Sequence, residues 1–218
     1  HTRAARNGGS GGFSIAGRRP DGSAFNQYEM LGSAEGGIVE KDGLSGVTVL
    51  LGNSRSASIE VLECEFPTRL RRFELIRDGG GAGEFRGGNG PRREYEILTH
   101  EGQLALRGGL HLNPASGEAG GRPARLGSMI VNPASADERV LPNRFAGVPL
   151  RYGDIVRLEK SGGGGLGDPR KRPFAAIVDD VLDGFISIEA AIDDYGVTRE
   201  QLATALSALG FSLDDVAR

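Results

Sequence analysis

Asp78, Arg86 and Asn89 lie within one glycine-studded run, RDGGGAGEFRGGNG from Arg77 to Gly90, and Asp168 lies in a second, SGGGGLGDPRKRP from Ser161 to Pro173. Ordered glycine carries an entropic cost, so clusters of it mark backbone that must take positive φ or come very close to something else. An arginine on such backbone can hold a carboxylate or phosphate in a bidentate fork, with free N–H groups completing an anion cradle. The same residues also admit an internal arrangement, in which Asp78 caps the turn and Arg86 pairs with Glu84 or Glu94. Asp78, Arg86, Asn89 and Asp168 are therefore expected to be ligand- or interface-proximal, and no catalytic residue can be named.

Other chemistries find little support. Gly162, Gly164 and Gly167 match GxGxxG after a strand-like DIVRLEK, but a dinucleotide fingerprint needs a helix to start on the last glycines. Pro169 disfavours helix at Asp168, so SGGGGLGDP reads as a compact turn returning the chain to its body. Neither glycine run has the lysine and hydroxyl of a phosphate loop. His1, His100 and His111 show no metal-ligand spacing, and no metal site is expected. Cys64 stands alone in VLECEFP, where a small buried hydrophobe in a strand is expected.

The 218 residues include 36 glycines, more than twice the usual share of about 7%, without a collagen period. They punctuate short apolar runs, as in a protein of many turns and strands. The net charge of -3 is uneven: residues 173–218 hold nine acids against Arg199 and Arg218, so the remainder is about +4. That is too little basic excess, with too few interleaved aromatics, for a nucleic-acid binder. No apolar stretch approaches the roughly 18 residues that span a bilayer, and no signal peptide pattern is present. A cytoplasmic protein without membrane contact is expected.

The elements that must position these residues are mostly strands. Residues 47–51, 58–66, 69–77, 93–99, 103–107, 125–132 and 154–160 are short, β-branched or alternating, and bounded by turn formers. In RLRRFELIR, Phe73 and Leu75 share one face, which predicts a half-buried strand. After Pro173 the pattern becomes helical: FAAIVDDVLD stops at Gly184, Ser187 caps IEAAIDDY, and Thr198 with Gln201 forms a capping box before Leu202, Ala205, Leu206 and Leu209. The expected fold class is α+β, a mainly antiparallel or mixed β body rich in glycine turns followed by a small helical unit. Residues 1–22 read as exposed linker or the remnant of a longer region, 23–160 as the β body, 161–172 as the connecting loop and 173–218 as an acidic helical tail. An opening at His1, without methionine, is expected of a fragment or processed product.

The run from Val61 to Gly90, VLECEFPTRLRRFELIRDGGGAGEFRGGNG, and that from Ser161 to Val197, SGGGGLGDPRKRPFAAIVDDVLDGFISIEAAIDDYGV, resemble in order and composition the C-terminal region of the hydantoinase B/5-oxoprolinase family. The resemblance runs from about Gly46 onward. It implies a B-type component of an ATP-dependent hydrolase of cyclic amides such as hydantoins or 5-oxoproline, or of a related ketone carboxylase. It further implies an A-type partner chain, a missing N-terminal part of the B-type chain and hence a hetero-oligomer. ATP and a divalent metal would belong to the whole complex, with no cofactor bound by this chain alone. Where the family often shows histidines and an Asn-Thr pair, this sequence has Val47, Val49, Asn53 and Ser54, which leaves the substrate open. A non-catalytic docking module is the alternative.

Overall fold

The computed structural model describes residues 5–9, 11–48, 55–108 and 112–216. Two antiparallel sheets face each other, with strand orders β2-β1-β5-β8 and β3-β4-β9-β6-β7. The strands are β1 (Gly12–Arg18), β2 (Ala24–Met30), β3 (Thr68–Leu75), β4 (Pro91–Ile97), β5 (Gly102–Arg107), β6 (Ser128–Val131), β7 (Arg139–Leu141), β8 (Arg144–Leu150) and β9 (Ile155–Glu159). Their inner faces supply one apolar core, with Phe13, Ile15, Leu104 and Leu106 on one side and Tyr95, Ile97, Val156 and Leu158 on the other. The α+β expectation agrees with this architecture. Among the described residues, no helix is long and apolar enough to cross a membrane.

Three readings need correction. The opening segment is not exposed linker, because β1 lies within it and buries Phe13 and Ile15. Residues 58–66 are not a strand: Ile59–Glu65 forms helix α1, with Ser58 accepting a hydrogen bond from Val61 N and Glu60 in its first turn. Period alone cannot separate strand from helix in so short a run, and cap chemistry decided it. Cys64 consequently lies exposed rather than in a core. The strand expected at 47–51 falls mostly outside the described residues, and Val47 and Thr48 carry no strand.

β3 forms where expected but is less covered than its pattern predicts. Phe73 and Leu75 do face inward, opposite Arg93 and Pro91 of β4. They remain 51% and 44% exposed because β3 is an edge strand. β2 was not legible, since its core-facing positions include Gln27 and Glu29 beside Phe25.

The glycine runs build a third structural layer. Segments near residues 5–8, 34–46, 79–90, 115–125 and 161–167 exchange backbone hydrogen bonds outside the sheets. Gly163 N–H donates to Gly88 O at 3.0 Å and its carbonyl accepts from Gly81 N at 2.9 Å. Gly164 donates to Arg6 O at 2.8 Å and accepts from Gly37 N at 2.9 Å. Successive residues therefore bond to different neighbours, leaving no direction open for a side chain. A Cβ on Gly163 would overlap the Glu35 carbonyl oxygen, and one on Gly165 that of Ala82. Ser161 to Leu166 are all buried. SGGGGLG is thus the central member of a bundle, not the compact turn its composition resembled.

The chain then passes through a 3-10 turn (Pro169–Lys171) into α2 (Phe174–Leu182), α3 (Ile188–Asp193), α4 (Arg199–Ala208) and α5 (Leu213–Val216). The predicted caps form: Ser187 Oγ accepts from Ala190 N, and both halves of the Thr198/Gln201 box are made. Leu202 and Leu206 are fully buried, while Leu209 ends the helix at 56% exposure. The helices form a second core around Ile177, Val181, Ile188 and Leu206, to which Ala82 of the first glycine run contributes.

Candidate functional site

Asp78, Arg86 and Asn89 converge on one turn of the helical unit, the link between α2 and α3. Asp78, at φ 58°, donates its N–H to Phe185 O at 3.0 Å and accepts from Ser187 N at 2.7 Å. Asn89 Nδ2 donates to the same Phe185 carbonyl at 2.9 Å, while its Oδ1 accepts from Gly80 N at 2.8 Å. The Arg86 guanidinium lies 4.4 Å from the centre of the Phe185 ring. Arg86 and Asn89 are 4% and 1% exposed, so their polar groups already face protein rather than an open cleft.

Asp168 acts on the same joint at one remove. Its Oδ1 accepts from Arg170 N at 3.0 Å and caps the 3-10 turn. The turn carries Arg172 inward, where its Nη1 and Nη2 fork Asp42 at 2.8 and 2.7 Å. Arg172 Nη2 also stands 2.7 Å from Asp180 Oδ2, an ion pair without hydrogen-bond alignment, so that oxygen keeps no hydrogen bond. Arg86 Nε donates to Asp180 Oδ1 at 3.2 Å, and Arg86 N–H to Asp42 Oδ1 at 2.6 Å. Arg86 therefore pairs with Asp180, 94 residues away, rather than with Glu84 or Glu94.

The two carboxylates respond in opposite directions. Burial resists ionisation of Asp42, but the Arg172 fork and charge, aided by Arg86, outweigh it and hold its pKa below 3.8. At Asp180 burial prevails over Arg86 and Arg172 and raises the pKa above 3.8. The Tyr195 hydroxyl, buried beside them without a hydrogen-bond partner, is pushed up by burial and stays a phenol. The cluster joins the glycine bundle to α2; both its carboxylates are held in ion pairs, and only Asp42 is part-exposed.

A second polar cluster, which sequence reasoning missed, sits inside the sandwich. Arg93 Nη1 and Tyr95 Oη both donate to Glu29 Oε2, at 2.6 and 2.9 Å, and Thr68 and Gln27 extend the chain to Glu29 Oε1. Arg93 also stacks 4.2 Å from the Phe73 ring. The available signal was the alternation of AFNQYEM, in which Phe25, Gln27 and Glu29 share a face. Among the described residues, no group of three or more His, Cys, Asp or Glu side chains could hold a metal, and His100 stacks on Tyr152. His1 and His111 lie outside the described residues.

Lys160, at the end of β9, is 5% exposed, and its ammonium group has no hydrogen-bond or ion-pair partner among the described residues; burial lowers its pKa from 10.5 to about 8. The unfolded chain then binds more protons between pH 8 and 10.5, so stability rises with pH across that window. Lys160→Met should stabilise the protein by roughly 3 kcal/mol at pH 7, with the gain shrinking above pH 8 and vanishing near 10.5. Denaturant titrations at stepped pH check this, and a destabilised Lys160→Met at pH 7 would contradict it.

The family model described as hydantoinase B/oxoprolinase matches residues 1–169. The chain belongs to the hydantoinase B/oxoprolinase family. The match begins in the segment read as linker, ahead of the expected Gly46. The beta component of the caprolactamase of Pseudomonas jessenii is 34% identical over 201 residues, covering 87% of this chain and 34% of that protein. The B component of a putative D-/L-hydantoinase of Pseudomonas sp. (strain NS671) is 32% identical over 171 residues, covering 78% and 29%. The solved ATP-dependent caprolactamase from Pseudomonas jessenii superposes with a TM-score of 0.74 at 29% identity, over 97% of this chain and 37% of that one. An acetone carboxylase chain superposes at 0.72 with 18% identity, covering 95% and 33%, a likeness of fold. The chain spans about a third of the length of these curated hydantoinase B/oxoprolinase relatives.

Proposed function

We propose that this chain is the C-terminal part of the B-type component of an ATP-dependent enzyme that opens a cyclic amide of the hydantoin, oxoproline or lactam type. Within that enzyme it builds and holds structure, and the reacting groups come from elsewhere. The observation that carries this reading is the joint itself: Arg86, Arg172 and Asp180 are buried and paired with one another and with Asp42, and buried Asn89 is spent on the backbone of Gly80 and Phe185. Identities of 29–34% with caprolactamase and hydantoinase components, against 18% with acetone carboxylase, favour an amide over a ketone. ATP, a divalent metal, an A-type partner and a cytoplasmic setting belong to the whole assembly on this reading.

The 218-residue chain alone, given ATP and a divalent metal, should therefore show no turnover of hydantoin, 5-oxoproline or caprolactam. The parent assembly with its A-type component should open at least one of them. Measured turnover by the chain alone would overturn the structural role, and an assembly active only on ketones would overturn the substrate class.

A further inference from the structure

The two sheets turn very different outer faces outward. On β3, β4 and β9, Glu96 is flanked by Arg69 and Arg71, and Glu94 by Arg72 and Arg157, in ion pairs of 2.6–3.8 Å. Such a lattice of alternating charge is what an antiparallel sheet carries toward water. The outer face of β2-β1-β5-β8 lacks it. Between Arg18 and Glu101 at one end and Arg107 and Arg144 at the other, the outward residues include the uncharged Ser14 and Ala16 on β1, Tyr28 and Met30 on β2, and Gln103 and Ala105 on β5.

This face is also shaped to receive something. Tyr28 and Met30 are 61% and 44% exposed. The Tyr28 ring rests against Gly12, with no room for a Cβ there, so it lies as a fixed platform along the face. Toward the Arg18 end of the face, Ala16, Ala24, Gln103 and Pro149, together with the paired Arg18 and Glu101, line a shallow concavity of about 470 Å³. Small side chains let a partner's backbone come close. Interface cores are depleted in charge and enriched in Tyr and Met, and permanent contacts more so than transient ones.

We propose that this face is buried permanently against the part of the B-type polypeptide lying outside these 218 residues, through an apolar, uncharged surface of that part. The inference rests on the functional reading above. Family relatives are about three times as long as their match to this chain, so such a polypeptide has ample further length to cover the face. The uncharged face fits a permanent contact within one polypeptide, and the ion-paired face fits solvent.

The test uses the parent assembly, purified with both of its component types. Tyr28→p-benzoylphenylalanine and Gln103→p-benzoylphenylalanine place photoprobes on the uncharged face, and Arg71→p-benzoylphenylalanine places one on the charged face. Tyr28 and Gln103 lie outside the apolar core of this chain, so its fold should survive the substitutions, and elution of the assembly at its unsubstituted size would show that the components still associate. On irradiation, Tyr28 and Gln103 probes should cross-link to peptides of the same polypeptide beyond this chain, and the Arg71 probe to none. Cross-links from Tyr28 and Gln103 to the A-type component, to a second copy of this chain, or to nothing would overturn the proposal without touching the functional reading. Failure of the purified assembly to open any cyclic amide would defeat that reading instead, while the cross-link pattern would still decide the face.

Discussion

Arg172→Ala should destabilise the protein by about 3 kcal/mol or more, because removing one member of a buried charge cluster leaves its partners uncompensated. Arg172 forks Asp42 and touches Asp180, and its side chain is 5% exposed against 8% for Asp180 and 33% for Asp42. The partial exposure of Asp42 keeps the expected loss toward the lower end. The loss should be local before it is global: amide hydrogen exchange over α2, α3 and α4 should accelerate while β4 and β9 keep their protection. The effect also has a pH signature. Asp42, with its pKa held below 3.8, stabilises the fold above that pH, and its contribution is lost as pH falls through its folded value. Asp180, with its pKa raised, acts oppositely, so its contribution declines as pH rises from 3.8 through its folded value. Without Arg172 both carboxyls are driven toward their neutral forms, so the deficit of the variant should narrow below about pH 4. A deficit under about 1 kcal/mol, with unchanged exchange in the helices, would place the lock elsewhere.

Gly163→Ala should cost about 3 kcal/mol or more, the high end of what a forced overlap in a packed interior imposes. The added methyl would run into the Glu35 carbonyl, and the flanking hydrogen bonds to Gly88 and Gly81 fix Gly163 from the other sides. Gly22→Ala is the control. Gly22 has φ 85° and open space around it, so alanine there meets only left-handed strain of about 1–2 kcal/mol. Denaturant midpoints followed by circular dichroism compare the two, with loss of soluble Gly163→Ala protein counting as the same result. Equal effects at both positions would mean that the bundle yields and that close approach is not what demands glycine.

The helical unit was legible in the sequence because its signals are local. Ser187, Thr198 and Gln201 satisfy helix ends from within four residues, and Leu202 and Leu206 recur on one face. Strands β4, β5, β6 and β9 were legible for the same reason, through alternation and turn formers. β1 and β2 were not: Gln27 and Glu29 face the core only because Thr68, Arg93 and Tyr95 satisfy them, at separations of 41 to 66 residues. The candidate residues were found, but not their partners. Asp78, Arg86 and Asn89 could be chosen by type and by their glycine setting, whereas Phe185, Ser187 and Asp180 offered no sign that they would meet them. The sequence by itself determined where the backbone must approach something closely, since only glycine tolerates that contact. The tertiary structure decided what it approaches, which is other segments of the same chain: hydrogen bonds between distant glycine runs and charges shared across the joint depend on positions in space that no local pattern encodes.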